Sequence, residues 1–454
     1  MTERVVVVGA DAAGMSAASQ AKRLRGDGLD VIALERSTHT SYSACGIPYW
    51  VGGDVESVDR LIARTPEEHR ANGIDLRMRT EAVGLDLDRR EVEVRDHAGN
   101  TTYRLGFDHL VLATGARPRR PDVPGIDAEG VFGVQTLDDG ERALAALEHD
   151  PRRAVVVGGG YIGIEMAEAM VNRGLEVTVL TRSAEPMATL DPDMGRQVHE
   201  AMEAMGIDVR TSVELHGIGT GADGRARSVL TDVGEFAADL VVLGTGVSPE
   251  TTLAADAGIA LGRWGGLITD LQMRVFDLPG VWAAGDCVES IDLVSGNRVH
   301  VALGTHAKKQ GRALGTNLGG GYATFPGVVG TAVSKVCDLE IARTGLREKD
   351  CETVGFSYLT VTVGSTTRAG YYPGASRVTV KLLVEQRSGR LLGGQIVGRE
   401  GSAKRIDVLA VALWNRMTVE EMVSLDLGYA PPFSPVWDPV LIAARKAVER
   451  MAAQ

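Results

Sequence analysis

A glycine-rich turn between a β-branched strand and a small-residue helix occurs twice in this chain of 454 residues. The first copy runs from the valines at 5–8 through Gly9, and the second runs from residues 154–157 through Gly158. A second apolar strand follows each helix, so each copy is typical of a β-α-β unit with parallel strands. Two such units in one chain predict two nucleotide-binding domains.

Beyond Gly321 the pattern changes to alternating strands, such as residues 378–384, and then to helices from about Ala403. Residues 418–421 resemble a helix capping box, and residues 438–451 predict an amphipathic helix. The sequence therefore predicts an α/β fold with two Rossmann-like nucleotide-binding domains and a C-terminal α+β domain.

The first turn carries Gly9 and Gly14, and the acidic residue Glu35 ends the second strand 21 residues later. A dinucleotide fold needs glycine where the backbone approaches the pyrophosphate, and an acidic group about 20 residues further on for the ribose. Asp11 occupies the position of the middle glycine. Taken alone, this degenerate motif leaves open a β-α-β unit that binds no nucleotide.

A segment far downstream, residues 278–286, resembles the second FAD fingerprint of flavoprotein disulfide reductases, in which a strand ends in Gly-Asp and the Asp binds the ribityl chain. Together with Thr114 and Gly115, it completes three separated elements of one pattern. We therefore predict bound FAD. The predicted FAD contacts are Gly9, Ala12, Gly14, Glu35, Arg36, Ser43, Thr114, Gly115, Asp286 and Gly304.

The second turn is a full G-x-G-x-x-G motif between a strand and a helix, which predicts a nicotinamide cofactor. Its second strand ends without a carboxylate, and Arg182 there can pair with a 2′-phosphate, so NADPH is favoured and NADH is the alternative. Arg182 as a merely exposed charge is the competing interpretation. The predicted contacts are Gly158, Gly160, Tyr161, Gly163, Glu165, Thr181, Arg182, Ser183 and Gly246.

Cys45 follows the first β-α-β unit, where we expect a helix N-terminus to lower its thiol pKa. Reductases with a dithiol use C-x4-C, but residue 50 here is Trp50. A redox-active Cys45 must therefore cycle as a single thiol through a mixed disulfide, a persulfide or a sulfenic acid. Cys287, Cys337 and Cys351 are interpreted as packing residues.

With these motifs in place, the chain resembles the single-cysteine branch of the pyridine nucleotide:disulfide oxidoreductases, and within it the coenzyme A disulfide reductases. The likeness extends over essentially the whole length, at residues 45–49, 303–312, 325–327, 371–374 and 429–433. It implies a homodimer whose third domain forms the interface and brings tyrosines to the partner's cysteine. The tyrosines at those positions are Tyr429 and either Tyr372 or Tyr371, and the sequence leaves that choice open.

The resemblance also bears on the substrate. NADH peroxidases and oxidases of this branch carry a His at the position of Ala12, so an oxidase would lack its acid–base group here. Gln20, Arg23 and Ser41 match residues that contact coenzyme A in the disulfide reductases, and Lys22 beside Arg23 adds charge for phosphates. A solvated Lys-Arg pair is the alternative. Ala44 replaces an Asn found in some members.

The predicted domains are residues 1–118 with 246–322 for FAD, 119–245 for NAD(P)H and 323–454 for dimerisation. A net charge of −12 disfavours nucleic acid and anionic membranes. No stretch approaches the roughly 18 apolar residues of a membrane span, so we expect a cytoplasmic protein. Four widely spaced cysteines predict no metal site.

The expected activity is NAD(P)H-dependent reduction of coenzyme A disulfide, or a related small disulfide, through FAD and Cys45. Persulfide or polysulfide reduction and NAD(P)H oxidation are alternative enzymatic functions. A flavoprotein redox sensor, in which Cys45 reports oxidation without turnover, is the non-enzymatic alternative.

Overall fold

The computed structural model describes residues 2–453. Residues 2–118 form most of a parallel sheet, with a small antiparallel sheet beside it. The elements are β1 (Glu3–Val8), α1 (Ala12–Arg25), β2 (Leu29–Leu34), α2 (Ile47–Gly52), α3 (Pro66–Ala71), β3 (Ile74–Arg77), β4 (Thr80–Asp86), β5 (Glu91–Asp96), β6 (Thr101–Gly106), β7 (His109–Leu112) and β8 (Ala116–Pro118). The valines of β1 are buried because β2 and β7 flank this strand in parallel and helices cover the sheet.

Residues 119–245 repeat this plan. The elements are β9 (Val131–Gly133), α4 (Leu137–Leu147), β10 (Arg153–Val157), α5 (Tyr161–Asn172), β11 (Glu176–Thr181), α6 (Pro192–Ala204), β12 (Asp208–Thr211), β13 (Leu215–Thr220), β14 (Ala226–Thr231), β15 (Gly234–Ala237) and β16 (Leu240–Leu243). The parallel sheet has the strand order β12-β11-β10-β16-β9.

Residues 246–322 return to the first sheet. The elements are β17 (Val247–Pro249), α7 (Thr252–Asp256), β18 (Leu267–Ile268), β19 (Val281–Ala283), β20 (Val288–Ile291), β21 (Arg298–Val299) and α8 (Gly304–Leu318). β19 pairs with β7 and completes the order β19-β7-β1-β2-β3. β17 pairs antiparallel with β8, and the Arg119 N–H donates to the Gly246 carbonyl at 2.9 Å, so the chain leaves and re-enters at one place.

Helix α8 packs closely on α1 because glycines face the α1 backbone. A Cβ on Gly311 would lie 2.3 Å from the Ala13 carbonyl oxygen, and one on Gly315 would lie 2.3 Å from that of Ala17. Only glycine permits so close an approach. The contact joins two helices that are about 300 residues apart in sequence.

Residues 323–453 form a five-stranded antiparallel sheet with helices against it. The elements are β22 (Ala332–Val336), β23 (Leu339–Gly345), α9 (Glu348–Val354), β24 (Tyr358–Thr366), β25 (Arg377–Glu385), β26 (Leu391–Gly398), α10 (Ile406–Trp414), α11 (Val419–Val423) and α12 (Pro439–Ala452). Residues 418–421 form a complete capping box, as the sequence predicts.

The predicted fold class is confirmed, since two parallel nucleotide-binding-type sheets precede an α+β unit. The domain boundaries stay a prediction. Among residues 2–453, no helix combines the length and apolarity that crossing a bilayer requires.

Two contacts between these parts position the site. Helix α2 lies in the first part of the chain but packs on the second, where a Cβ on Gly52 would lie 3.2 Å from the Ala169 Cα of α5. On β25, Lys381 is almost fully buried, with its Nζ 2.7 Å from Asp193 and 3.2 Å from Asp191 and also bonded to Glu348. This cluster fastens α6 to the C-terminal sheet.

Candidate active site

The turn between β1 and α1 has no room for side chains at its two glycines. Gly9 has φ +97°, and a Cβ there would lie 2.2 Å from the Ala113 carbonyl oxygen. A Cβ on Gly14 would lie 1.9 Å from the Gly9 carbonyl oxygen. The turn therefore exposes bare backbone at the start of a 14-residue helix, which is the cradle that a dinucleotide pyrophosphate requires.

Glu35 lies just after β2 and faces this turn. Its two carboxylate oxygens accept the N–H groups of Ala10 at 3.0 Å and Ser37 at 2.9 Å. Each oxygen retains a second lone pair for a ribose hydroxyl, so the residue fits the predicted role. Arg36 beside it is exposed.

The second predicted FAD element follows β19. The Gly285 N–H donates to the Oε1 of Gln310 at 2.7 Å, and the Gln310 amide donates to Ser290 at 3.0 Å. Burial and the negative charge of the neighbouring Asp11 together raise the pKa of Asp286 to about 6. Such a half-buried carboxyl suits a hydroxyl-rich ligand such as a ribityl chain. The other predicted contacts of this group are Ala12, Ser43, Thr114, Gly115 and Gly304, and Gly304 begins α8.

The turn between β10 and α5 has the same geometry as the first. A Cβ on Gly158 would lie 2.2 Å from the Gly244 carbonyl oxygen, and one on Gly163 would lie 1.9 Å from that of Gly158. Open space surrounds Gly160 and Gly246. The structure thus contains two dinucleotide cradles of matching shape.

The end of β11 carries the residues predicted to select the nicotinamide cofactor. Arg182 is exposed, the Thr181 and Ser183 hydroxyls lie 2.9 Å apart, and Ser183 donates to the Glu185 carbonyl. The buried Glu185 carboxylate is itself occupied by His199 at 2.8 Å and by Arg196. The nearby acidic group is therefore neutralised, which leaves Arg182 to meet an anion.

Cys45 is exposed in a short turn, residues 44–46, that leads into α2. The expected lowering of its pKa is wrong for this structure: although the residue is exposed, partial burial of its thiol group raises the pKa, and the carboxyls of Glu165 and Asp286 raise it further. Helix α2 has only six residues, so its dipole is too short to outweigh them.

Glu165 lies on α5 near Cys45, and it contacts Ser334 on β22 of the C-terminal sheet. Burial raises its pKa to about 7, opposed by the Ser334 hydroxyl, which donates to its Oε1 at 2.7 Å. At the start of the same helix, the buried Tyr161 hydroxyl lies near Thr189 without forming a well-oriented hydrogen bond within residues 2–453. Such an orphaned hydroxyl is free to turn or to meet a ligand.

The predicted substrate residues divide into two groups. Arg23 donates to the Oε1 of Gln20 at 3.1 Å, and the Gln20 amide donates to Thr316 at 3.2 Å, so both lie on one face of α1. Lys22 instead donates to the Leu29 carbonyl at 3.0 Å, and the structure does not bring it to them.

Ser41 has the left-handed φ of +50°, and its hydroxyl lies 2.9 Å from the Nε2 of the buried His69. This pairing fixes the hydroxyl at the start of the turn that holds Cys45.

The three predicted tyrosines are exposed in the C-terminal part of the chain. The Tyr429 hydroxyl contacts that of Tyr371, and Tyr372 lies beside them in sequence. Phe433 and Trp437 are exposed in the same part of the chain.

Sequence reasoning missed the supporting contacts of Gln310, Ser334 and His69. Gln310 is 2% exposed in the middle of α8, so a polar residue at a core position of that helix was the available signal. Ser334 and His69 meet partners far away in sequence, and nothing local indicates those contacts.

Two glycine turns with the shape of dinucleotide cradles and an exposed thiol near Glu165 of α5 are the arrangement expected of a pyridine nucleotide-dependent flavoprotein oxidoreductase. The comparisons agree: residues 3–311 match the family model described as pyridine nucleotide-disulphide oxidoreductase, and residues 331–439 match its dimerisation domain. The chain belongs to this family, whose members use a flavin and NAD(P)H.

Among curated relatives, an NAD(P)H coenzyme A polysulfide/persulfide reductase of Pyrococcus horikoshii is 38% identical over 452 residues, covering 98% of both chains. A coenzyme A disulfide reductase of Staphylococcus epidermidis is 28% identical, covering 98% of this chain and 99% of the relative. Among solved structures, an NAD-dependent persulfide reductase from A. fulgidus has a TM-score of 0.96 at 38% identity, covering 99% of this chain and 84% of that one.

Proposed function

We propose that this oxidoreductase uses FAD and NADPH to reduce coenzyme A disulfide, or a related low-molecular-weight disulfide, through Cys45 as its single redox thiol. The carrying observation is the placement of one exposed thiol near Glu165, on the helix that follows the second turn, and Asp286, beside the first turn. Within residues 2–453, Cys287 and Cys351 are buried and Cys337 lies against Met205, which supports Cys45 as the single redox thiol.

FAD is supported by the bare-backbone turn at Gly9 and Gly14, the available acceptors of Glu35 and the half-buried carboxyl of Asp286. These donors and acceptors fit a pyrophosphate, a ribose and a ribityl chain in that order along the first sheet. When bound, the flavin supplies two-electron transfer from the nicotinamide to a sulfur–sulfur bond.

NADPH is supported by Arg182, because Glu185 is already paired and no free carboxylate follows β11. The persulfide reductase from A. fulgidus is NAD-dependent by name, so NADH remains the alternative. The ratio of kcat/KM for the two cofactors, compared between the wild type and Arg182→Ala, decides between them.

In the proposed cycle, the Cys45 thiolate attacks one sulfur of the disulfide. A mixed disulfide between Cys45 and coenzyme A forms, and the first coenzyme A leaves as a thiolate that takes a proton. Two electrons from NADPH then cleave the mixed disulfide, which regenerates the Cys45 thiolate and releases the second coenzyme A thiol. One NADPH and one proton thus convert one disulfide into two thiols.

Tyr429, with Tyr372 or Tyr371, is proposed to reach the cysteine of the other subunit in a homodimer and protonate the leaving thiolate. The exposed aromatic side chains of Phe433 and Trp437 support a covered surface in this part of the chain. Gln20, Arg23 and Ser41 are proposed to contact coenzyme A.

Reduction of a coenzyme A persulfide or polysulfide is the second candidate, because the relative at 38% identity carries that name. The same thiolate would attack the outer sulfur of the persulfide, which breaks the sulfur–sulfur bond, forms a Cys45 persulfide and releases coenzyme A as a thiolate. Two electrons from NADPH would then cleave the Cys45 persulfide into the Cys45 thiolate and sulfide.

The test is an anaerobic titration of the purified protein with NADPH, followed by addition of coenzyme A disulfide. We expect rapid flavin reoxidation with two thiols formed per NADPH, and a loss of at least about a hundredfold in Cys45→Ser, since nucleophilic catalysis contributes on that scale. Cys337→Ser is the matched control and should retain the wild-type rate. Full disulfide reductase activity in Cys45→Ser contradicts the proposal, whereas sulfide release from a coenzyme A persulfide without turnover of the disulfide favours the second candidate.

A further inference from the structure

Asp11 stands in the FAD turn, residues 9–14, where the dinucleotide motif has its middle glycine. Its φ of −122° is one that any residue adopts, so the backbone there does not require glycine. The side chain is half-buried, and its Oδ1 accepts the N–H of Tyr42 at 3.3 Å. The carboxyl therefore makes a specific hydrogen bond to a neighbouring segment of the chain.

That segment is the cysteine loop, residues 40–46. Thr40 donates its hydroxyl to the Ala10 carbonyl, which gives the loop a second connection to the FAD turn. On its other side, the Ser43 N–H donates to the Leu61 carbonyl at 2.8 Å. Among residues 2–453, the hydrogen bonds of Asp11 with Tyr42 and of Thr40 with Ala10 thus both link the FAD turn to the loop that presents Cys45.

The surroundings of Asp11 are largely acidic. Burial raises its pKa to about 6, the N–H groups of Tyr42 and Ala12 oppose this, the Glu35 carboxylate raises it further, and Lys308 opposes it. Asp286 also faces it, and each carboxyl disfavours ionisation of the other. The phenol of Tyr42 stays neutral because burial raises its pKa.

The same place is the N-terminus of α1, where a pyrophosphate binds in this fold. An ionised carboxyl and a pyrophosphate at one helix end repel each other, whereas a protonated carboxyl still accepts the Tyr42 N–H through its carbonyl oxygen.

We propose that Asp11 is a positioning residue that holds the cysteine loop against the FAD turn and takes up one proton from solvent when FAD binds. The inference rests on the proposed FAD cofactor. Because a group that gains a proton on binding makes the affinity fall with pH, the FAD affinity should decrease about tenfold per pH unit once Asp11 is ionised in the free protein.

The test uses flavin-free full-length protein and FAD itself. Calorimetric titration at pH 7.5 in two buffers of different ionisation enthalpy counts the protons taken up. We expect the wild type to take up about one proton more than Asp11→Asn. At pH 7.5 Asp286 is largely ionised in both flavin-free proteins, because its pKa of about 6 is lower still when the Asp11 charge is removed, so it contributes little to the difference. Flavin fluorescence across pH 5.5–8.5 should give a steeper decrease in affinity for the wild type.

The loop is tested separately by the rate at which iodoacetamide alkylates Cys45 in the flavin-free protein, quantified on the Cys45 peptide by mass spectrometry. Asp11→Asn keeps an acceptor for Tyr42 and should react at the wild-type rate, whereas Asp11→Gly loses it and should react about fivefold faster, as expected from one lost hydrogen bond.

Equal proton counts in the wild type and Asp11→Asn, with FAD bound, overturn the Asp11 inference alone. Absence of FAD binding at every pH overturns the cofactor proposal as well. If Asp11→Asn does not fold, the test uses the proton uptake of the wild type and the alkylation rate of Asp11→Gly. The inference is overturned if the wild type takes up no proton on binding FAD, or if Cys45 in Asp11→Gly is alkylated at the wild-type rate.

Discussion

Glu165 shows how one buried carboxyl makes stability depend on pH. Its pKa is about 7 in the folded chain and 4.5 for an unperturbed Glu, so the protonated form is favoured by folding. The stability it contributes is fully present below pH 4.5 and is lost as the pH rises through about 7.

Glu165→Gln should therefore be more stable than the wild type above pH 7, and the difference should disappear below pH 4.5. Gln keeps an acceptor for Ser334 but carries no charge to desolvate. The measurement is the midpoint of thermal unfolding of the flavin-free protein at pH 4.5, 6 and 8. The exposed Glu67→Gln is the control and should show no such trend. A constant difference at all three pH values would contradict the assigned cause.

At this scale the glycines of both turns were predictable, because the backbone approach they permit belongs to a local motif. The roles of Ser334 toward Glu165 and of His69 toward Ser41 were not, since each pair meets only through the tertiary fold. The direction of the Cys45 pKa was predicted wrongly for the same reason: burial of the thiol, and then two acids that are distant in sequence, raise the pKa through the tertiary fold.

At the scale of elements, the contact between α1 and α8 supports the first turn from behind. Gly315→Ala places a methyl group 2.3 Å from the Ala17 carbonyl oxygen, which the backbone cannot accommodate without separating the helices. We expect about 3 kcal/mol of destabilisation, at the upper end for overpacking, together with a reduced flavin content.

The readouts are chemical denaturation and the ratio of flavin to protein after purification. Gly364→Ala on β24 is the matched control, because open space surrounds Gly364 and a methyl group there meets no atom within 4 Å. If Gly315→Ala retains wild-type stability and flavin, the contact is less tight than described.

Helices and strands were predicted to within a residue or two where the hydrophobic period was clear. The helix predicted at residues 438–451 is α12 (Pro439–Ala452), and the strand predicted at residues 378–384 lies within β25 (Arg377–Glu385). The packing of α2 on α5 was not foreseen, because α2 is short and its apolar residues do not indicate which sheet they face.

At the scale of the whole molecule, Lys381 joins the second and third parts of the chain. Burial opposes its charge, but hydrogen bonds to Asp193 and Glu348 and the charge of Asp191 more than compensate and raise its pKa. Lys381→Met removes the cation that contacts all three carboxylates and should destabilise the protein by about 3 kcal/mol.

Thermal unfolding, together with the rate of NADPH-dependent flavin reduction, measures this effect. Lys404→Met removes an exposed lysine that is also paired with an aspartate, and it should change stability by less than about 1 kcal/mol. Similar losses of stability in both variants would mean that the buried cluster of Lys381 stabilises the protein no more than an exposed ion pair does.

The connection formed by β8 and β17 has a consequence for the history of the chain. Because residues 119–245 begin and end at neighbouring strands, the two ends of this segment lie close together in space. A segment with adjacent ends can be inserted, exchanged or lost in evolution without changing the path of the rest of the chain. Two turns of matching shape on either side of that junction are what an ancestral gene duplication followed by insertion would leave behind.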